Sequence, residues 1–208
     1  MINQLVTTLF LDIGGVLLSS GWDRHSRQKA AVHFKLDHDE MEDRHHLTFG
    51  LYENGMLSWD EYLDRVYFYC KRDFTKEEFK TFMLDQSIPI DGSIEFFKSL
   101  KSKYSLKVIA VNNEARELND YRIQKYKLDQ LFDAFVSSCY VHMSKPDKEI
   151  WRMACGIANV SPANVLYIDD RLMFVEIASS LGFYSYHFQQ LDETRLFIKA
   201  IRFSSTNE

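Results

Sequence analysis

With 208 residues, 46% of them hydrophobic and 26% charged, the chain is long and apolar enough to close one domain-sized core and carry a modest insertion. A formal net charge of −5 leaves no electrostatic footprint for nucleic acid or an anionic membrane, and Lys98, Lys101 and Lys103 read as a solvated helix face. Cys70, Cys139 and Cys155 are odd in number and lack paired C-x-x-C spacing, which argues against a disulfide framework or zinc knuckle and fits a reducing compartment.

The first predicted element is a buried strand over 7–11, apolar on both faces and uninterrupted by charge. This stretch has no cationic start, is broken by Asp12 and lacks a small-residue cleavage site, so it does not read as a signal peptide. No segment approaches the ~20 apolar residues that span a bilayer, and a soluble, cytoplasmic protein is expected. From Ser19 onward the pattern turns helical and charged. A helix is predicted over 27–36, with Ala31, His33 and Phe34 inward. Ser58-Trp59-Asp60-Glu61 is a capping box opening a helix over 59–70, where Tyr62, Val66 and Tyr69 share a face. Thr75-Lys76-Glu77-Glu78 opens another through Phe79, Phe82 and Met83.

Pro89, Asp91 and Gly92 punctuate the return, with Ser93 as cap of a helix over 94–103. Strands are then predicted at 106–111, 134–138, 165–168 and 184–188. Helices fall between them at 117–126, from Pro146 to about 158, and at 173–181, with a short turn at Ser161-Pro162. This alternation implies an α/β, Rossmann-like parallel sheet with helices on both faces. Residues 1–18 and 88–208 would form the core, and 19–87 an all-helical cap inserted after the first strand. The polar tail after Phe203 is expected to fray.

Two strands end in carboxylates. The first runs into Asp12, followed by Ile13-Gly14-Gly15, and Val165-Leu166-Tyr167-Ile168 runs into Asp169-Asp170. Residues at the carboxyl ends of parallel strands face the ligand crevice, and three carboxylates gathered there call for a divalent cation.

Four segments carry a resemblance: Leu-Phe-Leu-Asp-Ile-Gly-Gly-Val-Leu at 9–17, Val-Ile-Ala-Val-Asn-Asn at 108–113, Ser-Lys-Pro-Asp at 144–147 and Leu-Tyr-Ile-Asp-Asp at 166–170. In this order the chain resembles the haloacid dehalogenase superfamily, in its branch with a helical cap after the first strand. The resemblance implies that Asp12 is the nucleophile that forms an aspartyl-phosphate. It implies that Asp12, the backbone carbonyl of Gly14, Asp169 and Asp170 hold Mg²⁺, and that Lys145 pairs with the nucleophile and the phosphoryl oxygens. Asn112 and Asn113 would contact substrate, with an amide at 112 where the family usually has serine or threonine. Asp169-Asp170 argues against the metal-free dehalogenase branch, because two further carboxylates would repel a haloacid.

The chief departure from the family is Gly14, which stands where its phosphatases usually carry an aspartate that protonates the leaving oxygen. Such catalysis is typically worth ~10²–10⁴ in rate. Its absence biases the chain toward substrates with good leaving groups, and Asp23 or His25 at the cap entrance is the candidate replacement. The aromatic cap residues Trp59, Tyr62, Tyr67, Phe68 and Tyr69 are expected to be mostly core, with one or two lining the pocket. The expected activity is Mg²⁺-dependent hydrolysis of a small phosphorylated metabolite, with sugar phosphates foremost. The other reading is a catalytically weakened relative that binds a phospho-ligand or a protein. Sequence leaves the oligomeric state open.

Overall fold

The computed structural model describes residues 5–203. In chain order the strands are β1 (Thr8–Leu11), β2 (Lys107–Asn112), β3 (Ala134–Ser137), β4 (Val165–Asp169) and β5 (Tyr184–His187). They form one parallel sheet in the order β3-β2-β1-β4-β5. Between β1 and β2 lie α1 (Arg24–His33), α2 (His38–Glu53), α3 (Trp59–Val66), α4 (Lys76–Asp85) and α5 (Ser93–Tyr104). The remaining helices are α6 (Arg116–Tyr126), α7 (Ser138–Val141), α8 (Lys148–Ala158), α9 (Leu172–Ser180) and α10 (Leu191–Lys199).

Both faces of the sheet are covered, which is why its central strands carry no polar alternation. Leu9 and Leu11 join Val108, Ala110, Leu166 and Ile168 beneath Phe97 of α5 and Ile198 of α10. Phe10, one step out of phase, joins Ile109, Val111 and Tyr167 beneath Trp151 of α8 and Phe174 of α9. A period of two thus feeds two cores from one strand. Strand order reverses at β1, with β2 on one side and β4 on the other, and the crevice of an open α/β sheet opens at that point. Leu11 pairs with Ile168, so Asp12 and Asp169 leave the sheet side by side.

Helices α1–α4 build a third, aromatic cluster that includes Trp22, Tyr52, Tyr62, Tyr67 and Phe79 and reaches Ala115 and Leu118 beside β2. Its buried hydroxyls are shared: Trp22 Nε1 donates to Tyr62 and Tyr67, and Tyr62 also bonds His45 Nδ1 at 2.8 Å. The chain enters and leaves this segment through paired strands of backbone. Ser19 N donates to Ile88 O (2.7 Å), and Ile90 N donates to Leu17 O (2.9 Å).

Several elements differ from the sequence expectation. The first helix begins at Arg24, not 27, because Asp23 caps it by accepting from Ser26 N at 2.8 Å; His33 is exposed rather than inward. Helix α3 stops at Val66, short of 70, and Tyr69 is exposed with the Arg44 guanidinium over its ring. Ser93 is not a cap: Gly92 holds that position at φ +70°, while the Ser93 hydroxyl donates to Val16 O at 2.7 Å. Pro146 lies outside α8, whose N-cap is Asp147, and the Lys145–Pro146 peptide is cis. Helices α2, α7 and α10 had no counterpart in the expectation. The predicted fraying after Phe203 lies outside the described residues.

Candidate active site

The site grows from the strand ends. After Leu11 the chain turns sharply at Gly15, whose φ of +74° favours glycine and whose Cβ, if added, would lie 2.1 Å from Asp170 Oδ2. The turn keeps Asp12 over the end of β1, with Ile13 N donating to its Oδ1 at 2.8 Å. One carboxylate oxygen from each of Asp12, Asp169 and Asp170 lies within 4.8 Å of the other two.

Lys145 enters this cluster from the loop before α8. Its ammonium is buried, 2.6 Å from Asp169 Oδ2 and 3.3 Å from Asp12 Oδ1. Asn113 fixes the lysine backbone from both sides, accepting from Lys145 N and donating to Lys145 O, each at 2.8 Å. Asp169 is fully engaged: Oδ2 also accepts from the Tyr167 hydroxyl, and Oδ1 accepts from Arg171 N at 2.8 Å. Asp170, by contrast, faces the cleft.

Burial pushes the Asp12 carboxyl up to about 7; Lys145 opposes this, while Asp169 and Asp170 add to it. Asp170 is raised too, first by burial and then by Asp169. Burial alone would lower the Lys145 ammonium, but Asp12 and Asp169 hold it above the ordinary lysine value. Lys145 is the cation inside the cluster and Arg171 also lowers Asp170, so three carboxylates face two cations and the cluster stays short of positive charge.

The cleft over this cluster has a volume of about 40 Å³ and is lined by residues that include Gly14, Glu53, Asn113 and Glu114. Asn112 is not among them. Its amide closes a buried triangle in which Asn112 Nδ2 donates to Asn119 (3.0 Å), Asn119 to Ser137 (3.2 Å) and Ser137 back to Asn112 Oδ1 (2.7 Å). Asp23 is occupied in capping α1 and His25 is exposed on it, so neither lines the cleft.

Four ionisable groups line the cleft beyond those the sequence pattern singles out: Glu114, Arg122, Glu53 and Arg171, the last directly after Asp170. Glu114, directly after Asn113, pairs with Arg122 of α6 at 2.6 Å, and both are buried. Arg122 Nε also donates to Ser87 at 3.0 Å. A Cβ on Gly21 (φ +66°) would fall 1.6 Å from Arg122 Nη2, so the guanidinium occupies that side of the loop. Gly14 itself has room for a Cβ, with Ser20 Cα at 3.6 Å as nearest neighbour. The third group is Glu53, the last residue of α2, whose carboxyl burial pushes up to about 7 with Glu114 adding to the shift. Glu114 could have been read from its place at a strand end. Glu53 and Arg122 carry no local signal, because only tertiary packing brings them here.

Among curated relatives, a D-ribitol-5-phosphate phosphatase of Bacteroides thetaiotaomicron is 26% identical over 197 residues, covering 86% of this chain and 90% of that protein. A flavin mononucleotide hydrolase of Arabidopsis thaliana is 28% identical over 152 residues, covering 73% of this chain and 61% of that one. Among solved structures, a HAD family enzyme from B. thetaiotaomicron in complex with magnesium and inorganic phosphate superposes with a TM-score of 0.75 at 20% identity, covering 92% and 99% of the two chains; at that identity the likeness concerns the fold. No described helix is long and apolar enough to cross a membrane. The model of the haloacid dehalogenase-like hydrolases matches residues 6–182, a span that takes in both carboxylate-bearing strand ends and the lysine between them, and the chain belongs to that family.

Proposed function

We propose that this chain is a Mg²⁺-dependent phosphomonoester hydrolase acting on a small phosphorylated metabolite, a sugar phosphate foremost, through an aspartyl-phosphate on Asp12. The observation that carries the reading is the convergence of Asp12, Asp169, Asp170 and Lys145 at the point where strand order reverses. Oxygen donors crowded beside a single ammonium suit a hard divalent cation. Asp12, the Gly14 carbonyl and Asp170 would hold it, with Asp169 completing the acidic set while it anchors Lys145. Bound there, Mg²⁺ would neutralise the carboxylates and draw the phosphoryl oxygens toward the nucleophile.

The chain's own groups do the rest. Ionised Asp12 attacks phosphorus, and the Lys145 ammonium, held by Asp169 and by the Asn113 clamp on its backbone, meets charge that develops on the phosphoryl oxygens. Phe174 lies beneath that ammonium, 5.1 Å from ring centroid to Nζ, and keeps its other side dry. We assign Asn112 to holding β2 against α6 and Asn113 to positioning Lys145. Residues 19–87 act as the cap. A 40 Å³ cleft is far below the ~300 Å³ at which small-molecule pockets begin, so the cap must swing away to admit a sugar phosphate. The phosphatase named for D-ribitol 5-phosphate supports the sugar-phosphate choice.

The alternative, a binding relative with little turnover, draws on Gly14 and Asn112, the two departures from the family pattern. The complete cluster of nucleophile, lysine and acidic pair favours catalysis. Hydrolysis of p-nitrophenyl phosphate separates the two, since its leaving group needs no proton. The phosphatase reading predicts turnover that requires Mg²⁺, stops with chelator and vanishes in Asp12→Asn. Turnover that persists unchanged in Asp12→Asn would overturn it.

A further inference from the structure

A phosphoryl transfer to Asp12 leaves one need unmet: the departing oxygen of an alkyl ester must gain a proton. Four other carboxyl-bearing residues stand around the nucleophile. Asp169 is buried and bound by Lys145, Tyr167 and Arg171 N. Asp170 belongs to the acidic cluster that would take the cation. Glu114 is tied to Arg122 at 2.6 Å. Glu53 remains, and it forms no ion pair among the described residues.

Glu53 is also the acid best placed by construction. It ends α2, and the chain there is fastened to α7 at successive residues. Ser138 Oγ donates to Glu53 O at 2.8 Å, and His142 Nδ1 donates to Asn54 O at 2.8 Å. Gly55, at φ +69°, lies so close to α7 that an added Cβ would sit 2.3 Å from Cys139 O. The Glu53 carboxyl thereby reaches the cleft that Asp12 lines, and Oε2 accepts from Asn113 Nδ2 at 3.4 Å, the same amide that holds Lys145.

The geometry points to Glu53 as the general acid and base of this site, delivered by the cap at closure. This rests on the phosphatase reading above. In the first step the Asp12 oxygen bonds phosphorus, the bond from phosphorus to the leaving oxygen breaks, and that oxygen takes the Glu53 proton. In the second, water attacks the phosphoryl group and gives its proton to the Glu53 carboxylate. The bond from phosphorus to Asp12 breaks, releasing inorganic phosphate and restoring both side chains. The charged groups facing Glu53 are Glu114 from the end of β2, Arg171 from the end of β4 and Lys145 from the loop before α8. The two cations lower its carboxyl, but burial and Glu114 outweigh them and hold it at about 7, where an acid and its conjugate base are both available.

The test is the dependence of kcat/KM on the basicity of the leaving group, measured with Mg²⁺ for p-nitrophenyl phosphate, phenyl phosphate and glycerol phosphate. In Glu53→Gln the loss should grow along that series, reaching ~10²-fold or more for the alkyl ester. With p-nitrophenyl phosphate the same variant should release a burst of nitrophenolate, because the second step has lost its base. Glu53→Asp, which keeps a carboxyl, should recover part of the alkyl-ester activity. An equal loss across all three esters, with no burst, would overturn the assignment and leave Glu53 a packing residue. If the parent enzyme hydrolyses none of the esters, the phosphatase reading itself fails and the Glu53 assignment falls with it.

Discussion

Arg122 and Glu114 show how much depends on single side chains beneath the cleft. Replacing Arg122 with methionine leaves Glu114 buried without its cation, a situation that costs about 3–5 kcal/mol when a buried pair is broken from one side. Urea unfolding should record that loss for Arg122→Met, and a smaller one for Arg122→Met combined with Glu114→Gln. Equal losses would mean that the pair is not the source. Gly15 is constrained twice, by its positive φ and by the Asp170 oxygen 2.1 Å from an added Cβ. Gly15→Ala should therefore weaken Mg²⁺ binding, measured by calorimetry, more than it lowers the melting temperature. Asp12, Asp169 and Asp170 stand out in the sequence because each sits at a strand end, where local pattern fixes location, whereas Lys145 in its loop is singled out only by the family resemblance. Asn112 was equally visible, yet its amide is spent on Asn119 and Ser137, a partnership between elements that no local pattern encodes.

At the scale of elements, the end of α2, fastened to α7, is the joint that the Glu53 proposal depends on. Gly55→Ala should push that joint off Cys139 O and displace Glu53, lowering alkyl-ester turnover while leaving Mg²⁺ affinity in place. His45 of the same helix is buried against Tyr62, and burial holds its imidazole down to about 3, so it is neutral when folded. An unfolded chain takes up that proton as pH falls below about 6.5. The stability His45 contributes is therefore whole above that pH and is lost as pH falls toward 3, at about 1.4 kcal/mol per pH unit. The advantage of the parent over His45→Gln, read from urea midpoints, should shrink from pH 7 to pH 4; a constant difference would contradict this. The strands were legible because both faces of the central ones are apolar. Helix α2 was not, because its buried positions are Met41, His45, Thr48 and Tyr52, a stripe with too few apolar residues to announce a period.

For the whole molecule, the order β3-β2-β1-β4-β5 sets the crevice, and the paired backbone at Ser19–Ile88 and Leu17–Ile90 closes the base of the helical segment between β1 and α5. The parallel core was readable from alternation alone, whereas the small cleft depends on packing between distant segments, with Glu53 of α2 brought against the strand ends. Because Mg²⁺ would bind only the folded acidic cluster, it should raise the melting temperature, by the equivalent of about 2.7 kcal/mol at a concentration a hundred times its Kd. Asp170→Asn should abolish that rise. The most direct test of the central claim is a rapid acid quench of the Mg²⁺-loaded enzyme during turnover of a phosphomonoester, followed by peptide mapping by mass. A phosphoryl group on the peptide bearing Asp12, absent when Asp12→Asn is treated alike, is the predicted result. Steady turnover with no phosphorylated peptide, or with the phosphoryl group on another residue, would contradict it.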